Sequence, residues 1–212
     1  MPSLDRRNGA RTVLIRRAIK TRLDPNQAQR RALEKHGGTA RFVYNHGLAR
    51  RRDYYAETDK GLGYVQQSRE LTALKRENPW MFEVSKWIGQ EALRDLDAAF
   101  KNFFRRVKAK HGKKSGYPRF KKKSDYRDSF SFPCYSGAQQ LVKVDGSHIT
   151  LPVLGTLRMF EALNIPGKLL EATVSRDHDL WFIAISYEVE VEAPKHEGPA
   201  VGVDLGIKTL AT

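Results

Sequence analysis

Arg11-Thr12-Val13-Leu14-Ile15-Arg16-Arg17-Ala18-Ile19-Lys20-Thr21-Arg22-Leu23 is the stretch on which the fold turns. Val13, Ile15, Ile19, Thr21 and Leu23 share one parity. Leu14, Arg16, Ala18, Lys20 and Arg22 share the other, and Arg17 interrupts the apolar side. A period of two predicts a half-buried strand with a mostly basic outer face. No other strand-like segment occurs before residue 128, so the partners of this strand must lie beyond a long helical region.

That region reads as four helices. Asp24-Pro25 supplies an acidic N-cap and a proline at the first helical position. Ala28, Ala32 and Leu33 give an apolar side, and Gly37-Gly38 predicts a stop. A second helix follows from about Thr39 to Glu57, with Arg50, Arg51 and Arg52 across its polar face. Asp59-Lys60-Gly61 breaks it. A third starts near Tyr64 and ends before Asn78-Pro79. The fourth is the longest. Ser85 is its expected N-cap, and Leu93, Leu96, Phe100, Phe103 and Val107 form an apolar seam. Lys101, Arg105, Lys108 and Lys110 collect on the opposite face, and Gly112 ends it. Of Phe100, Phe103 and Phe104, at least two are expected to be core.

Beyond residue 128 the texture is all β. Ser129 to Tyr135 is a short strand. Leu141 to Leu151 reads as a hairpin turning at Asp145-Gly146. Leu169 to Arg176 and Leu180 to Val191 form another, turning at Asp177-His178-Asp179. The economical arrangement is an α+β fold: a small β-barrel built from strand 13–23 and strands 129–192, interrupted by a four-helix insert. Expected boundaries are 1–23 for the first barrel strand and its extension and 24–112 for the helices. The basic connector and remaining barrel take 113–193, a linker 194–199, and a separate domain begins at 200–212.

Charge is concentrated rather than spread. The net charge of the 212-residue chain is +14. Residues 101–127 hold 12 Lys/Arg against 1 Asp/Glu, whereas residues 128–212 hold 6 against 11. Such clustering is the footprint of a polyanion partner. Within it, Tyr117 and Phe120 alternate with Lys113, Lys114, Arg119, Lys121, Lys122 and Lys123. Rings between cations suit base stacking with phosphate neutralisation. Cys134 is the single cysteine, which excludes a disulfide framework and a cysteine-based zinc cluster within these residues. The six histidines show no metal-ligand spacing. No apolar run is long enough to span a bilayer, and MPSLDRRNGA lacks a signal-peptide core.

The chain ends in Val201-Gly202-Val203-Asp204-Leu205-Gly206-Ile207-Lys208 and four further residues. This reads as a buried strand that presents one carboxylate before a glycine turn, a position suited to Mg²⁺ beside a phosphate. Actin-type ATPases share Gly-x-Asp-Leu-Gly, but they open their fold with it and follow it with hydroxyl residues rather than Ile207-Lys208.

The motif and its placement resemble the TnpB (OrfB) family of transposon-encoded RNA-guided nucleases, relatives of the type V CRISPR effectors. Five further runs are similar to that family, in order: Lys20-Thr21-Arg22-Leu23-Asp24-Pro25-Asn26-x-x-Gln29, Ala40-Arg41-Phe42-Val43-Tyr44-Asn45, Leu71-Thr72-x-Leu74-Lys75, Ala99-Phe100-Lys101-Asn102-Phe103-Phe104 and Gly116-Tyr117-Pro118-Arg119-Phe120-Lys121. The resemblance covers about residue 13 to 212. It implies a wedge-type, oligonucleotide-binding-like barrel with a helical recognition insert, then the first strand of an RNase H-like (RuvC) nuclease domain. It also implies one protein chain per guide RNA from the transposon end, a double-stranded DNA target, and a prokaryotic, cytoplasmic, nucleoid-associated setting.

By the same resemblance, Asp204 is the catalytic and Mg²⁺-holding residue. Tyr64, Lys86, Gln90 and Ser131 match the positions that read the DNA motif flanking the target. The chemistry at these positions is suitable: Gln pairs bidentately with adenine, Lys donates to guanine or thymine, and a tyrosine ring packs on a thymine methyl. Backbone contacts are expected from Arg50, Arg51, Arg52, Lys101, Arg105, Lys108, Lys113, Lys114, Arg119 and Lys121 to Lys123, with stacking on Tyr117 and Phe120. The family completes its site with a Glu and a second Asp downstream, and carries a zinc finger between them. Zinc is therefore expected only beyond these residues, and the chain reads either as the recognition half of a nuclease or as an RNA-guided DNA binder without cleavage. One carboxylate does not hold two metals. The 212-residue chain, given RNA and Mg²⁺, is expected to leave DNA uncut, and cleavage lost on Asp204→Ala would overturn that expectation.

Overall fold

The computed structural model describes residues 12–109, 116–125 and 127–193. They divide between a compact unit over residues 16–189 and a second unit to which residues 12–15 and 190–193 belong. Asp204, Lys113 and Lys114 lie outside the described residues.

Strand β1 (Thr12–Asp24) keeps the predicted alternation. Thr21 and Leu23 are buried, Ile19 is half-buried, and Arg16, Arg17, Ala18 and Lys20 face outward. The chain then makes helix α1 (Gln27–Thr58), helix α2 (Tyr64–Glu77), a 3-10 turn (Pro79–Glu83) and helix α3 (Lys86–Lys108). Next come β2 (Ser129–Pro133), a small hairpin of β3 (Tyr135–Ser136) and β4 (Gln139–Gln140), β5 (Lys143–Asp145), β6 (His148–Leu151), β7 (Gly155–Met159), β8 (Lys168–Asp177) and β9 (Leu180–Glu192).

Seven strands form one sheet in the order β2-β8-β9-β1-β7-β6-β5. The strand from before the helices thus lies between strands from after them, as the sequence requires. The sheet is open, which corrects the expected closed barrel: β2 and β5 are its edges. The reason is visible at β2. Helices α1 and α3 pack against it, and its continuation turns away at Cys134, whose carbonyl accepts the amides of Leu141 (2.8 Å) and Val142 (3.4 Å). An edge covered by helices needs no strand to close it. β7 is an element that sequence periodicity did not reveal. It pairs Leu23 with Met159 across β1 and Ile149 with Leu157 across β6.

The four expected helices are three. Residues 27 to 58 form one helix that runs through Gly37-Gly38. A Cβ on Gly37 would stand 2.8 Å from the Asp128 side chain, so this glycine admits a neighbouring segment and does not end the helix. Gly47 does the same for α3, where a Cβ would meet Leu93 at 2.9 Å and Leu96 at 3.0 Å. The helix start is also corrected. Asp24 closes β1, and Asn26 is the N-cap, forming a reciprocal capping box with Gln29. Ser85 caps α3 as expected, accepting the Trp87 amide. The Asp145-Gly146 turn is also present, with Gly146 at φ +53°.

The core joins both layers. Leu33, Val43, Leu48, Ile88, Leu93 and Leu96 are buried on the helices, and Phe130, Phe132, Val174, Trp181 and Ile183 on the sheet. Phe130 and Phe132 meet edge-on at 5.8 Å. Cys134 is buried, and burial, with the Glu171 carboxylate second, pushes its thiol up to about 12. His36 lies against Phe130 and Phe132 at 5.6 and 6.2 Å. Its Nδ1 donates to the Ala32 carbonyl at 2.8 Å, and its Nε2 accepts the Ser85 amide at 3.4 Å. The second bond needs the neutral ring, because Nε2 accepts only when it carries no proton. Burial lowers the His36 pKa, and the Ala32 bond only partly opposes this. The unfolded chain therefore takes up the proton first. Stability is full above the unfolded pKa of about 6.5 and is lost as pH falls from there toward the folded value. The urea midpoint is expected to drop between pH 7.5 and 5.5, and less so in His36→Gln. Equal pH dependence in the two proteins would show that the ring is not held neutral.

Candidate nucleic-acid interface

Three local devices build the surface. The first is an amide clamp. Asn45 on α1 donates from Nδ2 to the Lys121 carbonyl at 2.9 Å and accepts the Lys121 amide on Oδ1 at 2.8 Å. It satisfies both backbone groups of one residue, as a strand neighbour would. The connector is thereby fixed to α1. The Lys121 ammonium lies over the Tyr44 ring at 4.5 Å, and burial lowers its pKa, with Asp95 and Asp128 opposing.

The second device is a cleft of ≈ 630 Å³ beside that clamp. Arg41, Arg119, Lys121, Lys122, Arg127 and His178 contribute to its walls, together with Phe120, Asp125 and Asp128. Arg41 is ion-paired with Asp128 and mostly covered. Arg119, Lys122 and Arg127 are exposed. Phe120 is also exposed, with the Arg52 guanidinium 5.7 Å from its ring.

The third is the outer face of α3. Lys86, Gln90 and Arg94 follow at four-residue steps and so line one side of the helix. Lys86 and Arg94 are exposed and Gln90 is half-buried. The Lys86 ammonium sits 5.0 Å over the Trp87 ring. Arg94 donates to Glu91 at 2.6 Å, and its guanidinium lies 5.7 Å over the Tyr64 ring. Tyr64, the first residue of α2, is thus brought to α3 through Arg94, a residue whose role sequence spacing does not reveal. Ser131 is placed differently. It lies on β2, is buried, and shares a 2.9 Å hydrogen bond with Thr173.

The expected backbone-contacting cations fall into two groups. Arg51 is internal. It donates to Gln67 at 2.6 Å and to Asp97 at 3.0 Å, and Gln67 in turn donates to the Gly47 carbonyl at 2.8 Å. Burial alone would raise the Asp97 carboxyl, but hydrogen bonds from Lys101 and Arg51 hold it below its ordinary value. Arg50 pairs with Glu70 at 3.4 Å and Lys101 with Asp97 at 2.9 Å. Arg52, Arg105, Lys108, Arg119, Lys122 and Lys123 present exposed side chains. No set of three or more His, Cys, Asp or Glu among the described residues could hold a metal ion. None of their helices is long and apolar enough to cross a membrane.

Residues 15–60 match the helix-turn-helix domain of the OrfB/IS605 type. Over 200 residues, covering 92% of this chain and 46% of the relative, it is 34% identical to a protein of Escherichia coli K12 provisionally named RNA-guided DNA endonuclease InsQ. The chain belongs to the TnpB (OrfB) family. A Streptomyces pristinaespiralis protein with the same provisional description is 32% identical over 202 residues, covering 93% of this chain and 48% of the relative. One of Mycobacterium tuberculosis H37Rv is 29% identical over 224 residues, covering 92% and 47%. This TnpB-family chain spans a little under half the length of these relatives. The segment matched as helix-turn-helix is here most of β1 followed by the unbroken α1.

Arg51 and Arg52 are adjacent and chemically alike, yet one is buried and the other exposed. Arg51→Ala leaves the Gln67 side-chain oxygen without its donor and the Asp97 carboxylate with Lys101 alone, and is expected to cost about 3 kcal/mol of folding stability. Arg52→Ala is expected to stay within about 0.5 kcal/mol. Guanidinium denaturation of the two variants checks this, and equal losses would refute the division of roles.

Proposed function

We propose that this chain is the recognition portion of a transposon-associated RNA-guided DNA endonuclease. It binds a guide RNA from the transposon end, one protein chain per RNA, and a short DNA motif beside a double-stranded target. The observation that carries the reading is the exposed cationic connector, fixed on α1 by the Asn45 clamp next to a cleft with Arg119, Lys122 and Arg127. A clamped backbone with exposed charged tips suits phosphates, which reward charge and tolerate sequence. Phe120 at the rim offers a ring to a base.

The α3 face is proposed for motif reading. Gln90 takes the bidentate role toward adenine, Lys86 donates to a guanine or thymine acceptor, and Tyr64, held by Arg94, packs on a base edge or methyl. Ser131 takes part through a rotation of its hydroxyl away from Thr173. Asp204 is the residue we assign to Mg²⁺ and phosphodiester cleavage, with its carboxylate partners, and any zinc finger, in the further length that the relatives possess.

The test uses the full-length protein with its guide RNA and a target whose flank is randomised. Gln90→Ala is expected to lose about 1–3 kcal/mol of discrimination at one flanking base pair and to keep its RNA affinity. Replacing Lys122 and Lys123 by Ala is expected to flatten log affinity for RNA against log salt by about one unit for each phosphate left unneutralised. An unaltered flank preference sinks the α3 assignment, and an unaltered salt slope sinks the connector assignment.

A further inference from the structure

The C-terminal half of α3 carries a second concavity that the cleft does not include. Phe100, Phe103 and Phe104 of α3, Tyr117 of the connector, and Tyr55 and Leu62 at the α1–α2 corner wall a hollow of ≈ 310 Å³. This is the lower end of the size of small-molecule sites, about 300–1,000 Å³. Its rings are ordered by each other. Tyr117 meets Phe100 and Phe103 edge-on, both at 5.4 Å, and the Arg51 guanidinium lies 4.9 Å from the Phe100 ring. Phe100 is buried, as a core ring should be. Tyr55, Phe104 and Tyr117 are 58%, 53% and 45% exposed, so packing of the described chain alone does not account for them.

The rim is chemically one-sided. From Ala98 to Ala109 the sequence holds Lys101, Arg105, Arg106 and Lys108 and no acidic residue. On a helix, Lys101 and Lys108 fall to one side of the Phe100-Phe103-Phe104 seam and Arg106 to the other. The Arg106 guanidinium also donates to the Gly116 carbonyl at 3.4 Å, tying the connector that carries Tyr117 to α3. On the far side of Tyr55 stands the Asp59 carboxylate, which raises the Tyr55 pKa. An apolar protein segment would need no cations around its seat. A polyanion with aromatic side groups needs both, and the carboxylate at the far rim steers its backbone to the α3 side.

We propose that this hollow is a socket for one unpaired base of single-stranded RNA. The base lies against the Phe104 and Tyr117 rings, and the flanking phosphates rest on the α3 cations. The inference depends on the reading that this chain binds RNA, and adds to it a single-nucleotide site that recognises the unstacked state and not the sequence. Every base has a face to offer, so selection falls on strandedness.

The experiment uses the full-length protein and a short single-stranded RNA carrying 2-aminopurine, with an abasic strand of equal length and charge for comparison. The wild type is expected to quench the 2-aminopurine and to bind the abasic strand more weakly. Phe104→Leu keeps an apolar side chain at a half-exposed position but removes the ring. It is expected to relieve the quenching and weaken binding of the base-bearing RNA roughly 5- to 100-fold, with the salt slope unchanged. If both strands bind alike and Phe104→Leu changes nothing while the salt slope persists, the socket is refuted and RNA binding stands. If no salt-dependent RNA binding is seen, both readings fall. A Phe104→Leu variant that alters only the oligomeric state in gel filtration would mark the hollow as a seat for protein, and would overturn the proposal.

Discussion

Helix α1 can belong to the helical layer and to the sheet at once only because other segments approach it more closely than a side chain would allow. Gly37 and Gly47 are ten residues apart, about 15 Å along the axis. At the first, Asp128 comes in from the strand side and is caught by Arg41. At the second, Leu93 and Leu96 of α3 press against the α1 backbone. Two glycines inside a helix weaken it by up to about 1 kcal/mol each relative to alanine. Apolar packing at Gly47 and the ion pair at Gly37 offset that locally. Everything functional hangs from this helix: the connector through Asn45, α2 through Arg51 and Gln67, and the orientation of α3 through the leucines seated on Gly47.

The same helix sorts its charges by depth. Arg41 and Arg51 are consumed by Asp128 and by Gln67 and Asp97. Arg50 spans to Glu70 at an intermediate level, and Arg52 stands out beside Phe120. Composition alone counts these as equal contributors to a basic surface. A guanidinium held by a partly buried carboxylate has already exchanged water for protein, and it offers little to a phosphate without breaking a bond already made.

Parity, capping and turn chemistry are local, and where they act alone they were legible. The odd-numbered side of β1 is the buried one, Ser85 caps α3, and the hairpin turns at Gly146. The errors share a different origin. Gly37-Gly38 looks like a helix end because the residue that justifies Gly37, Asp128, lies far along the chain, beyond all three helices. Asp24-Pro25 looks like a helix start, although Asn26, two residues after Asp24, forms the reciprocal cap with Gln29. The open edge of β2 is set by helices packing on it, which no strand pattern reports. At the candidate site, the helix spacing of Lys86 and Gln90 was readable, and so was the charge of the connector. Arg94 was not, because its value lies in reaching Tyr64 on another helix. The hydrogen bond of buried Ser131 to Thr173 was not readable either, because its partner lies on a neighbouring strand far along the chain.

The Asn45 clamp holds the connector by its peptide groups at Lys121 and not by what the side chains are. Anchorage and surface chemistry are therefore separable. The residues flanking Lys121 can exchange cations for rings, or change their number of charges, while the chain remains gripped at one fixed point on α1. This gives the protein a place where the surface can drift without the fold having to be solved again.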